Sequence, residues 1–308
     1  MEHAPLILFV YNRADHFLKT YEALKNNEGA GETELFVFAD GAKDETGKAK
    51  VDECREAVRR ATADGAFRSV NIAEAPANQG LAASVISGVT EVLEKYGSAI
   101  VLEDDCITAP SYLKFMNEAL GVFADDKRVG AIAGFTPSID FPADFGEDIF
   151  TCYRSCSCGW ATWRDRWEGV DWELKDIGDF YKDLSLVKRL NENGSDRFLR
   201  LYRQVGGGSS WSVRFGAHLV KNGMLTVYPR YSLIENIGVD GTGVHGASED
   251  AETVKVDLSK AISDPVIRFE EPDKRIARIM KKHYSGGFVS EAGRAVKTAL
   301  ILIKERLK

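Results

Sequence analysis

Three carboxylates in a row, Glu103, Asp104 and Asp105, close the apolar run Ala99-Ile-Val-Leu102. Like charges set side by side are unfavourable unless something positive sits on them. A strand end is rigid, so two of these acids can be held at one spot. Oxygen-only ligation of that kind suits Mg²⁺ or Mn²⁺, above all when the metal also holds phosphates. The plain structural alternative is a solvated acidic turn that starts the next helix. Two other charged groups follow apolar runs. Arg13 comes just after Leu6–Tyr11, and Asp40 comes just after Leu35–Ala39. Arg13 suits a phosphate or the face of a ring, or is a solvated arginine at a helix start. Asn12 suits the cap of that helix. Asp40 before Gly41 is also a common turn pair.

The elements that would position these groups alternate in type. Buried strands are expected at Leu6–Tyr11, Leu35–Ala39, Val70–Ile72, Ala99–Leu102 and Val129–Ala133. Helices are expected near 15–24, 46–62, 78–96 and 110–123. That order implies an α/β layered fold with a largely parallel sheet. Ligands in such sheets bind beyond the carboxyl ends of the strands, where Arg13, Asp40 and the acidic triplet all fall. From about residue 134 the pattern changes. Residues 135–150 read as an excursion, and a helical region runs to about Tyr202, with Trp163 and Trp167 four apart on a helix and packed in the core. After a break at Gly206-Gly-Gly208 come a helix at 210–222 and a strand at Leu225–Tyr228. Ile237 to Gly246 is Gly-rich and suits a mobile lid. In the tail, Val296, Leu300, Ile303 and Leu307 recur at helical spacing among Arg294, Lys297, Lys304, Arg306 and Lys308. Such a helix fits an anionic membrane surface or a face of the protein itself.

Composition bounds the rest. The chain has 308 residues, 44% hydrophobic and 28% charged, which is ample for a large core. A net charge of -7 argues against wholesale nucleic-acid binding. No apolar run reaches the roughly 20 residues of a membrane span. Met1-Glu-His-Ala-Pro5 lacks the basic region and cleavage site of a signal peptide. Five cysteines without an export signal are expected as reduced thiols in a cytoplasmic protein, at most at the inner face of the membrane. Cys152, Cys156 and Cys158 lack a fourth ligand for a zinc module, so thiols are expected there too.

The order of these features resembles nucleotide-sugar glycosyltransferases of the GT-A fold, and more closely the N-acetylglucosaminyltransferase I type with related bacterial sugar transferases. The matching residues are Val10-Tyr-Asn-Arg13, Phe38-Ala-Asp-Gly41, Asn78-Gln-Gly80, Val101-Leu-Glu-Asp-Asp105 with Ala109-Pro110, Tyr153-Arg154 with Gly159-Trp160, and Ile237 to Gly246. The resemblance implies a Rossmann-like mixed sheet flanked by helices. Residues 1–133 would be the nucleotide-sugar half, 134–250 the acceptor half with its lid, and 251–308 an extension with a basic helix. It implies transfer of a hexose, with inversion, from a nucleotide diphosphate, commonly UDP, to a glycan or lipid-linked acceptor in cell-surface polysaccharide synthesis. It also implies Mn²⁺ or Mg²⁺. Asp105 would touch the metal, while Glu103 and Asp104 would hold ribose or bridging water. Asn12 and Arg13 would touch the nucleotide sugar, Asp40 would read the base, and the helix opened by Asn78, Gln79 and Gly80 would face the nucleotide. His245 would close on metal or diphosphate, with Asp240 beside donor or metal. Trp160, Trp211 and Arg214 would wall the sugar site.

One element of that pattern is missing. Inverting members need a carboxylate to take the acceptor's proton. The matching segment, Ser209-Ser-Trp-Ser-Val-Arg-Phe215, has no acid. Asp165 is the substitute expected here, although Thr162-x-x-Asp165 also reads as a capping box. Two rivals stay open. A sugar-phosphate nucleotidyltransferase would want a Gly-rich, Arg-containing loop after the first strand, and Asn12-Arg-Ala-Asp15 has no glycine. A non-catalytic nucleotide-sugar or glycan-binding module would need no base.

Overall fold

The computed structural model describes residues 3–238 and 256–307. The first half runs β1 (Leu6–Val10), α1 (Ala14–Lys25), β2 (Glu34–Ala39), α2 (Glu45–Ala61), β3 (Ser69–Glu74), α3 (Leu81–Tyr96), β4 (Ser98–Glu103), β5 (Cys106–Thr108), α4 (Tyr112–Val122) and β6 (Val129–Ala133). The second half runs β7 (Ile149–Cys152), β8 (Trp160–Trp163), α5 (Arg164–Trp167), α6 (Gly178–Lys182), α7 (Leu184–Leu190), α8 (Arg197–Val205), α9 (Trp211–Lys221), β9 (Leu225–Pro229), β10 (Ile234–Asn236), α10 (Lys274–Ser285) and α11 (Phe288–Arg306).

Eight strands form one mixed sheet in the order β3-β2-β1-β4-β8-β6-β9-β7. β3, β2, β1 and β4 are parallel neighbours, as are β6 and β9. β8 runs antiparallel between β4 and β6, and β7 closes the far edge antiparallel to β9. The sheet is thus largely parallel with helices on both faces, an α/β layered fold. β1 shows why its sequence is apolar throughout. Leu6, Leu8 and Val10 enter the core under α1, α2 and α4, whereas Ile7 and Phe9 enter the core under α3 and α9. A strand buried on both faces needs apolar side chains at every position.

The division expected at residue 134 falls inside this sheet, because β8 lies between β4 and β6. One expectation about a single element is corrected. Trp163 lies on β8, so it does not share a helix with Trp167, though both are buried. The stretch to Tyr202 is four short helices, α5 to α8. From Val256 to Phe269 the chain packs along the first core, and α10 then seats Ile276 and Met280 against Phe150 and Tyr228.

Candidate functional site

The strand register sets the site. Val10 pairs with Ala39, and Phe9 pairs with Glu103, so β1, β2 and β4 end at one edge. Arg13, Asp40 and the acidic triplet all emerge there. Arg13 and two of the acids meet directly. One guanidinium nitrogen, Nη2, donates to Asp104 Oδ1 and to Asp105 Oδ2, the latter at 2.8 Å. The Tyr11 amide donates to Asp104 Oδ2 at 3.4 Å, and the Thr20 hydroxyl donates to the Asp104 carbonyl at 2.8 Å. Asp104 and Asp105 are both buried.

A second, two-stranded sheet covers these acids. β10 pairs antiparallel with β5, with Asn236 opposite Cys106. This brings the Asn236 amide to Asp105 Oδ1 at 3.1 Å and the Ile237 amide to the Asp105 carbonyl at 2.9 Å. Gly238 follows, its amide held by Asn236 Oδ1 at 2.9 Å. A Cβ on Gly238 would stand 2.1 Å from Asp105 Oδ2, so only glycine lets the backbone lie this close to the acid. Asn236 was not singled out by the sequence. Its one signal is its place just before the Gly-rich stretch.

The electrostatics follow from burial and one cation. Burial, and then Asp105, push the Asp104 carboxyl up to about 6, with Arg13 pulling against them. Burial, and then Asp105 and Asp104, push half-buried Glu103 up to about 8. Burial works against the charge on Arg13, but Asp104 and Asp105 outweigh it and raise its pKa. Even with Glu103 neutral, the acids at this edge outnumber the one guanidinium. Arg13 Nη1 is buried and finds no partner among the described residues.

These residues fit a hard cation in donor chemistry, since all are oxygens and carry surplus negative charge. They do not form a ready-made cage. Among the described residues no group of three or more His, Cys, Asp or Glu is arranged to hold a metal. Mg²⁺ and its like are commonly held by one or two carboxylates, with phosphate and water supplying the rest. Asp105, with Asp104 beside it, is the pair that would serve.

Asp40 is close by but fully engaged. Its Oδ1 accepts from the Gly41 and Gln79 amides, both at 2.8 Å. Its Oδ2 accepts from Asn78 Nδ2 and the Gly80 amide, both at 3.0 Å. Four donors fill a carboxylate's acceptor sites. Asp40 therefore ties the turn before α3 to the end of β2, and Asn78 serves that turn. α3 begins only at Leu81, with Gly80 at φ +79° before it.

Other expected residues lie elsewhere. Asn12 caps nothing, because Arg13 holds the cap position of α1 with no side-chain bond. Asp165 does not join the acids. Ser98, at the start of β4, pairs with Trp163, so Asp165 lies at the opposite end of that strand, roughly 17 Å from Glu103 at about 3.3 Å per residue. There it pairs with Lys127 at 2.6 Å and Arg166 at 2.5 Å. The capping-box alternative fails as well, since Thr162 lies within β8 and Trp163 holds the cap position of α5 with no side-chain bond. Trp160 and Trp211 are core residues and not an open wall. Trp160 is 1% exposed and stacks on Trp211 at 5.0 Å and Trp167 at 5.6 Å. Arg214 holds the Gly208 carbonyl at 2.6 Å and faces a cavity of about 280 Å³ together with Leu174, His218 and Lys221. Leu174 there adopts φ +57°, a left-handed backbone unusual for a branched residue. His245 and Asp240 lie outside the described residues. Cys152, Cys156 and Cys158 are free thiols.

Comparison with known proteins gives a partial picture. No family model matches the chain, and no curated protein matches it. Among solved structures, the chain is similar to the mannosyltransferase PcManGT from Pyrobaculum calidifontis in complex with GDP-Man and Mn²⁺, at 16% identity and a TM-score of 0.39. That likeness covers 53% of this chain and 45% of that one. It is also similar to S. aureus TarS, at 9% identity and a TM-score of 0.42, over 77% of this chain and 37% of that one. The chain thus matches less than half the length of either protein.

Proposed function

We propose that this chain is a glycosyltransferase of GT-A type that moves a sugar from a nucleotide diphosphate, UDP in the first instance, to a hydroxyl of a glycan or lipid-linked acceptor. Its place would be in building cell-surface polysaccharide. The observation that carries this reading is the cluster at the ends of β1 and β4. There Arg13 bridges Asp104 and Asp105 beneath Gly238, with one guanidinium nitrogen left unpartnered among the described residues. Such a site offers a cation and a surplus of acid at the one edge where α/β sheets bind ligands.

In this reading Arg13 Nη1 donates to a diphosphate oxygen, and Asp105 and Asp104 hold a divalent cation. When bound, Mn²⁺ or Mg²⁺ neutralises the charge that gathers on the departing diphosphate. Glu103 lies beside the ribose. Asp40 acts through the turn it fixes, setting Asn78 and Gly80 where the nucleotide passes. His245 and Asp240, which lie outside the described residues, belong to the same proposal through the resemblance alone. Arg214 stays a candidate for the acceptor side. A hexosyl transfer with inversion would take its proton acceptor from a residue other than Asp165. The placement of Asp165 favours one second reading, a nucleotide-sugar-binding module without catalysis.

Calorimetry with a panel of nucleoside diphosphates, with and without Mn²⁺, tests the proposal. Uridine diphosphate is expected to bind tightest, with Mn²⁺ strengthening it, and Asp105→Ala is expected to abolish the Mn²⁺ effect. Retention of that effect in Asp105→Ala would remove the metal assignment. Binding of donors with no hydrolysis or transfer of any would leave only the binding module.

A further inference from the structure

The second half ends in a helix that shows two different faces. α11 is docked by one of them: Thr298 and Leu302 are buried, and Ile301 packs against the core shared by α6 to α9. Glu305 accepts from the Tyr202 hydroxyl at 2.9 Å, and Arg306 donates to the Lys182 carbonyl at 3.0 Å. The opposite face is apolar and open. Val289, Val296, Leu300, Ile303 and Leu307 are each between 58% and 84% exposed. From Val296 onward they recur four, three and four residues apart, which makes one continuous stripe along the helix. Single exposed apolar residues are ordinary, but an aligned row of them marks an interaction surface.

Charge selects the occupant. Both acids of α11, Glu291 and Glu305, lie on the docked side, where they pair with Lys281 and Tyr202. Lys297 and Lys304 flank the stripe and are exposed. The contrast extends to the whole chain. Residues 274–308 carry ten Lys or Arg against two Glu, which leaves thirty against forty-five in residues 1–273. A second copy of the chain would set Lys297 and Lys304 against their like, and a single stripe is small beside the roughly 1,000 Å² that a stable protein interface buries. An anionic bilayer answers both features, because it accepts apolar side chains below its headgroups and attracts lysines at their level.

We propose that the outer face of α11 docks on an anionic lipid surface, with the helix lying in the plane of the headgroups. The inference needs only the helix and stands apart from the transferase reading. No helix among the described residues is long and apolar enough to cross a membrane, so the contact is peripheral. The test is sedimentation of the full chain with vesicles of equimolar phosphatidylcholine and phosphatidylglycerol, against vesicles of phosphatidylcholine alone. Wild type is expected to pellet with the anionic vesicles only, and less as salt rises. Lys297→Gln/Lys304→Gln is expected to weaken binding about 25-fold, at about fivefold per lysine. Leu300→Ser/Ile303→Ser is expected to abolish it while melting at the wild-type temperature, because both side chains are exposed. Three results would each overturn the proposal: no sedimentation of wild type, equal binding by the variants, or a wild-type dimer in solution that Leu300→Ser/Ile303→Ser converts to monomer.

Discussion

At the scale of single residues, the site turns on Arg13. Removing it would leave Asp104 and Asp105 buried with no counter-cation. Breaking a buried pair this way costs about 3–5 kcal/mol. Arg13→Ala is therefore expected to lower the melting temperature sharply. Mn²⁺ is expected to raise it more in that variant than in wild type, because a divalent ion can then take the guanidinium's place. No Mn²⁺ shift in Arg13→Ala would show that the acids bind no cation. The sequence made Arg13 and the triplet legible because each directly follows an apolar strand, and strand ends align in parallel sheets. It did not reveal that Asp40 is spent on internal bonds, since its partners Asn78, Gln79 and Gly80 lie a whole helix later. Asn236 was hidden for the same reason, as only the pairing of β10 with β5 brings it to Asp105.

At the scale of elements, the turns after β2 and before α3 pass so closely that side chains are excluded. A Cβ on Gly41 would stand 2.3 Å from the Ala77 carbonyl carbon, a backbone atom with little freedom to yield. Gly41→Ala is expected to cost about 1–3 kcal/mol, as overpacking does. On the proposed transferase reading it should also weaken nucleotide binding, since the turn that Gly41 crosses carries Asn78 and Gly80. Urea denaturation with a matched calorimetric titration checks both, and an unchanged midpoint would show the crossing to be slack. The long elements were legible from their periodicity: α2, α3, α4 and β6 lie within a few residues of expectation. β5, β7, β8 and β10 were not, because three or four residues show no period and their pairing is decided by distant strands. Trp160-Ala-Thr-Trp163 has nothing in its own letters to distinguish an inserted antiparallel strand from the start of a helix.

At the scale of the molecule, the second half is pinned by a buried ion pair. Arg154 donates to both oxygens of Asp196, at 2.9 and 3.2 Å, and lies 3.5 Å over the Tyr284 ring of α10. Burial alone would raise the Asp196 carboxyl, yet Arg154, with Arg197 and Arg200, outweighs it and holds the group at about 2. A carboxyl depressed on folding stabilises above its unfolded pKa and loses that stability as pH falls through the folded value. The contribution, about 2 kcal/mol, is thus complete above pH about 4 and gone below about 2. Asp196→Asn is expected to be less stable at neutral pH and to lose much less stability over that acid range. Parallel acid melts of the two proteins with equal slopes would refute the assignment.

The place of β8 in the sheet bears on how the chain is made. β3, β2, β1 and β4 assemble from consecutive strand-helix units, so they can pair as they leave the ribosome. β6 cannot. Its neighbours are β8, which begins at Trp160, and β9, which begins only at Leu225. At ordinary synthesis speeds the wait for β9 lasts roughly 5–20 s. During that interval Val129-Gly-Ala-Ile-Ala133, every residue of which is buried in the finished sheet, lacks one of its two edges. The nascent protein therefore carries a sticky, incompletely paired strand for about half of the time its second half is being translated.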